Sequence, residues 1–270
     1  MQPTTSIHSR LSTDSAKEVE VFPGIHERRF FLGWSLTVAA ALLALEGAPK
    51  RIFGQTAIKT VNTTGTGSLS WEAFLKQAVP VAQQLYADPT LNVDEYLYRI
   101  GSLATRLNEI PNSKLGQYNA VDSRIWLGPS FRGASPFYII QWRMEPGAFF
   151  PPHNHRNASV CTLGFQGEVR LRNFEIIGET PDYDSKKTFR VRETRDETMT
   201  RGRISTLTPT RDNIHCFGAV KETARGIDIN TLHGENTFSF LNMSEKPVDA
   251  ENRIFEATWN PELGQPAKKG

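Results

Sequence analysis

The sequence predicts a mainly β protein, a jelly-roll barrel preceded by an N-terminal helical extension, and three observations predict it. From about Trp126 onward the chain breaks into short apolar or alternating runs, each closed by turn residues, as in a sandwich or barrel. Between residues 70 and 107, by contrast, the apolar residues recur at helical spacing. The 270 residues, 39% of them hydrophobic and 22% charged, suit one soluble domain with an extension, and no internal repeat is visible.

The elements follow in chain order. Residues 1–48 form a polar leader and then an apolar run, Phe30 to Leu45, interrupted only by polar Ser35 and Thr37. Its 16 residues, at ~1.5 Å each, fall short of the ~30 Å of a comfortable membrane span. Arg28-Arg29 stand just ahead of it, so the segment reads as a targeting signal. The order Arg-Arg-x-Phe-Leu resembles a twin-arginine export signal, which implies export machinery as a partner and a periplasmic or envelope location. A retained membrane anchor is the alternative, as is a cytoplasmic protein with a chance arginine pair. Residues 49–125 hold a Thr/Gly/Ser-rich linker and two helices. The first is capped by Ser70, carries Trp71, Phe74, Leu75, Ala78 and Ala82 on one side, and is interrupted or kinked by Pro80. The second starts at Asn92 with Glu95 as its capping-box partner. Residues 126–260 form the barrel domain, and 261–270 a polar tail. Strands are predicted at Phe137–Met144, Ser159–Phe165, Glu168–Ile176, Arg203–Leu207, Ile214–Ala219, Gly226–Leu232 and Thr237–Asn242. The polar stretch Gly178 to Gly202 reads as an exposed hairpin or loop.

The chemistry sits in three histidines. The sequence Pro-Gly-Ala-Phe-Phe-Pro-Pro-His-Asn-His, residues 146–155, ends in His153-x-His155, and residues two apart on a strand face the same side. Imidazole suits Fe, Zn, Cu and Ni, and one more side chain completes such a site. Gly147, His153, His155 and Gly167 resemble the first motif of the cupins, and Leu207-Thr208-Pro209 through Asn213-Ile214-His215 resembles the second. His8 and His26 fall in the leader, so only His233 is left over. The fourth cupin ligand, a glutamate, would fall at Val160, which cannot bind metal. A three-histidine site leaves a divalent ion its full charge, which favours an anionic, soft ligand such as a thiolate.

Pro151 to His155, Ser159-Val160, Gly167, Asn213 to His215 and Ile227-Asp228-Ile229 together resemble the cysteamine dioxygenase and plant cysteine oxidase family of cupins. The likeness covers roughly residues 126–245. It implies Fe(II) on His153, His155 and His215, with a thiol and O₂ as substrates and a sulfinic acid as product. Asp228 falls on the family's aspartate; between two isoleucines it faces opposite them, either orienting a substrate amine or ligand water or serving as a structural carboxylate.

Two other functions stay open: a different three-histidine cupin oxygenase acting on a diketone or phenol, and a non-catalytic exported metal- or ligand-binding cupin. Nucleic acid is excluded as a partner, since the net charge is only +2 and no basic run is interleaved with aromatics. Cys161 and Cys216 each follow a site-facing position, so both read as buried small hydrophobes turned away from the metal. Trp142, Phe149, Phe150, Phe165 and Phe217 are expected to form core and pocket lining.

Overall fold

The computed structural model describes residues 67–87, 92–133 and 136–264; the stretch expected to be an export signal, most of the expected linker and the end of the polar tail lie outside them. Two helices, α1 (Trp71–Ala87) and α2 (Val93–Ala104), precede ten strands. These are β1 (Gly116–Gln117), β2 (Ile125–Arg132), β3 (Phe137–Met144), β4 (Phe149–Gln166), β5 (Val169–Ile176), β6 (Phe189–Met199), β7 (Ile204–Leu207), β8 (Ile214–Ala219), β9 (Ala224–Met243) and β10 (Ile254–Asn260).

The helices start where capping residues stand. Ser70 Oγ accepts from Ala73 N–H at 3.3 Å, and Asn92 Oδ1 accepts from Asp94 N–H at 2.9 Å and Glu95 N–H at 3.4 Å. Glu95 does not close the expected capping box; its carboxylate pairs with Arg99 one turn on. Pro80 does not interrupt α1 either. It removes one N–H donor, while Phe74, Ala78, Ala82 and Leu85 stay buried on either side of it and hold the helix down. The face of α2 that carries Tyr96, Leu97, Ile100 and Ala104 is buried as well. Gly101 lets α2 approach β7, since a Cβ there would collide with Ile204 Cδ1. Both helices share one core with Phe137, Ile139, Cys161, Leu163, Ile227 and Ile229, so the extension is packed onto the barrel's outer face. Each such large side chain contributes roughly 1.5–3 kcal/mol by burial.

All ladders between the named strands are antiparallel. β4 and β9 pair along most of their length and hold the molecule together. Their two ends pair differently: β3 lies against the first part of β9 and β7 against the second part of β4, whereas β10 takes the end of β9 and β8 the start of β4. β10, β6, β5 and β8 complete the circuit back to β4.

The strand readings change in several places; predicted Ser159–Phe165 is the second part of the longer β4. The runs Gly226–Leu232 and Thr237–Asn242 are one strand, β9, whose register against β4 shifts opposite Asn157. The stretch Gly178–Gly202 is not all loop: β6 lies in it, with Phe189, Val191 and Met199 buried at alternating positions beneath a charged outer face. β1, β2 and β10 were unforeseen; Phe255, Ala257 and Trp259 of β10 seal a core with Phe174, Ile214 and Cys216.

Candidate metal centre

His153 and His155 lie on β4, and His215 on β8 directly opposite His153. The strand irregularity that brings them together is local. Between Phe150 and His153 the β4–β8 register shifts, and Pro151-Pro152 occupy that shift, where a residue without N–H costs the ladder nothing. Asn213, within the second motif, ties the two histidine-bearing strands: its Nδ2 donates to His155 O and Thr208 O, each at 2.9 Å, and its backbone O accepts from His155 N–H at 3.3 Å. Asp212 just before it turns the chain at φ 52°.

The three imidazoles converge. Nε2 of His215 lies 2.9 Å from Nε2 of His153 and 3.1 Å from Nε2 of His155, and ligand atoms of all three lie within 4.8 Å of one another. All three residues are buried. His153 Nδ1 is 2.9 Å from Pro151 O; a carbonyl only accepts, so Nδ1 carries the proton and Nε2 presents a lone pair to the cluster. Burial holds the His153 pKa down to about 4, and pushes His155 and His215 well below the usual histidine range, helped by the neighbouring imidazoles. At neutral pH the trio is therefore uncharged, the state in which imidazole binds metal. Three nitrogen donors facing one point in a dry pocket fit a divalent transition metal.

Aromatic rings wall the cluster. Phe150 sits edge-on to His153 at 4.7 Å, stacks on Phe217 at 5.5 Å, and is backed by Tyr118. Phe240 and Phe238, on β9, are the direct cross-strand partners of His153 and His155. Phe238 is 48% exposed, so it is the solvent-facing member of this ring wall. These two rings are absent from the sequence reading, although the alternation Thr237-Phe238-Ser239-Phe240 marks them as one face. Of the predicted lining, Phe150 and Phe217 contact the histidines, and Trp142 packs on Phe217 at 5.1 Å. Phe149 points outward, 47% exposed, and Phe165 packs with the helical cluster and lies under Arg201.

Asp228 faces the barrel interior while Ile227 and Ile229 face the helices, as their alternation requires. It is the cross-strand partner of Thr162. Burial lifts its carboxyl from 3.8 to about 6, against the pull of the Thr162 hydroxyl and the Trp142 indole. No hydrogen bond or ion pair joins it to the histidines among the described residues. Val160 packs with Ala158, Leu207 and Leu232. His233 bonds Ser159 Oγ at 2.7 Å and stays apart from the trio. Cys161 lies in the helix-facing core and Cys216 in the core beneath β10; burial raises both thiols to about 12, so neither is a ready nucleophile.

Residues 133–231 match the family model PCO_ADO, the cysteamine and plant cysteine oxidase family of the cupin superfamily. The matched span contains the three histidines and Asp228, so the resemblance read from the motifs holds over the part of the chain that carries the site. No curated protein matches the sequence. Solved structures similar to this chain include the cupin domain of Schizosaccharomyces pombe Cnp3, 14% identical with a TM-score of 0.33, covering 46% of this chain and 72% of that one. KdgF from Halomonas sp. is also 14% identical, with a TM-score of 0.32 over 45% of this chain and 89% of that one. Oxalate oxidase in complex with the substrate analogue glycolate is 14% identical, with a TM-score of 0.34 over 47% and 59%.

Proposed function

We propose that this protein is an Fe(II)-dependent dioxygenase that oxidises a thiol, RSH, with O₂ to the sulfinic acid RSO₂H. The observation that carries the reading is the convergence of three buried, neutral imidazoles in the span that matches the PCO_ADO family. His153, His155 and His215 would hold the iron, which supplies the redox chemistry between O₂ and sulfur. Three neutral ligands add no negative charge, so the pocket attracts a thiolate more strongly than a four-ligand site with a carboxylate would. Pro151 O orients the His153 ring, and Asn213 holds the two ligand strands in register. Phe150, Phe238 and Phe240 keep bulk water from the sulfur, which strengthens each electrostatic interaction inside. Asp228 would orient the substrate's amine or a water through its carboxylate, which is buried on β9 opposite Thr162. Export through Arg28-Arg29 is part of the same proposal: a cofactor-loaded oxygenase folded before translocation.

The test is iron per protein measured beside O₂ uptake with cysteamine, free cysteine and a cysteine-led peptide. Stoichiometric O₂ consumption and a sulfinic acid product are expected with at least one of them. Iron-loaded protein that consumes no O₂ with any of these thiols would transfer the site to another oxygenase chemistry or to a binding role.

A further inference from the structure

A second polar site lies on the opposite face of the sheet, the face whose Ile139, Ile227 and Ile229 meet the helices. There one row of directly paired residues runs Trp126, Arg143, Arg225 and Gln166 across β2, β3, β9 and β4. Arg143 and Arg225 are thus immediate cross-strand neighbours, a like-charge placement that destabilises a sheet unless something compensates it. Arg143 is compensated: it pairs with Glu145 and lies over the Trp126 ring at 4.9 Å. Glu145 is further used by Thr223 Oγ1, which donates to it at 3.1 Å. Among the described residues no carboxylate pairs with Arg225.

Arg225 is nevertheless held in place. Its Nη2 donates at 2.8 Å to the side-chain oxygen of Gln141, whose amide in that orientation donates to Pro111 O at 3.0 Å and Ser130 Oγ at 3.3 Å. Gln141 is only 1% exposed, so a buried neutral amide, with its own hydrogen bonds satisfied, aims a charged guanidinium. Arg225 lines a cleft of about 550 Å³ together with Trp126, Arg143 and, from the segment after α2, Asn112, Ser113 and Leu115. A fixed guanidinium fork beside a second one is the arrangement that binds planar or tetrahedral oxyanions.

We propose that this cleft binds a small molecule through an oxyanion, a carboxylate or a phosphate, clasped between Arg225 and Arg143. Bound there, the anion supplies the charge that Arg225 lacks and removes the repulsion across the β3–β9 pair. The site is separate from the metal centre, since Arg225 and Arg143 project from the face opposite to Asp228 and Trp142.

The experiment is calorimetric titration of the full-length protein with inorganic phosphate and, separately, with succinate, at ionic strength held constant with chloride. Saturable one-to-one binding of at least one is expected, and which arm responds decides between phosphate and carboxylate. Arg225→Gln should weaken it by about 10-fold or more, and Arg225→Lys should recover only part, because lysine offers a point charge without the fork. His153→Ala should bind as the wild type does. If Arg225→Gln fails to fold, Arg143→Gln carries the same expectation. Absence of saturable binding by either anion, unchanged binding in the folded arginine variant, or loss of binding in His153→Ala would each overturn the proposal.

Discussion

His215 and His153 face each other across the β4–β8 ladder with their Nε2 atoms 2.9 Å apart, and His215 is also the residue that reaches His155. His215 is therefore the shared corner of the cluster. His215→Ala is expected to lose bound metal altogether while keeping its β circular dichroism, because the ring contributes donors more than packing. A bound ion stabilises the folded state in proportion to RT ln(1 + [M]/Kd), so chelation should lower the melting temperature of the wild type. The melting temperature of His215→Ala should not respond to chelator; a response would place the ion elsewhere.

Asp228 gives a pH dependence with a definite sign. Its folded pKa is raised from 3.8 to about 6 by burial, so between those values the folded state binds more protons than the unfolded one. Stability from this group is thus greatest below pH ~4 and is lost as pH rises to about 6, by roughly 3 kcal/mol in all. Urea titrations of metal-free wild type and Asp228→Asn across this range should show the variant gaining relative to the wild type up to about pH 6 and then levelling off. A difference independent of pH would mean the carboxyl is not desolvated. In the iron-loaded protein the same substitution should retain metal and reduce turnover about 10- to 100-fold, as expected for a group that orients rather than ligates.

Phe74 joins the helical extension to the barrel: it is fully buried in the core that includes Ile139 and Ile229. Phe74→Ala should cost about 3–5 kcal/mol. If helix and barrel form one cooperative unit, helical and near-ultraviolet signals should move together to lower denaturant in the variant. Two separated transitions would show that the extension folds on its own.

The proposed export route is tested by Arg28→Lys with Arg29→Lys. This pathway reads the arginine pair rather than the charge, so the double variant should accumulate, folded, in the cytoplasm. Fractionation of cells expressing both forms measures it, and undiminished export would point to an ordinary signal or an anchor.

Much of the metal centre was legible because it is written in local spacing. His153-x-His155 needs only the two-residue period of a strand, and the third ligand follows from the Asn213-Ile214-His215 motif. Alternation likewise separated Asp228 from its isoleucine neighbours, and Cys161 and Cys216 from the site. Where local rules failed, other contacts had overruled them. Glu95 turned to Arg99, α1 ran through Pro80, and the charged Phe189–Met199 stretch became a strand because β5 and β10 flank it.

By itself the sequence determined the β character of the chain, the grouping of His153, His155 and His215 as candidate ligands and the apolar side chain at Val160, because each depends on residue type and on spacing of a few residues. Tertiary structure decided which distant residues meet. It set Phe238 and Phe240 beside His155 and His153, and it placed Arg225 opposite Arg143 with Gln141 beneath it. Those pairings follow from the register of β9 against β3 and β4, which is fixed by burying both faces of β9 at once, against the helices and against the barrel interior.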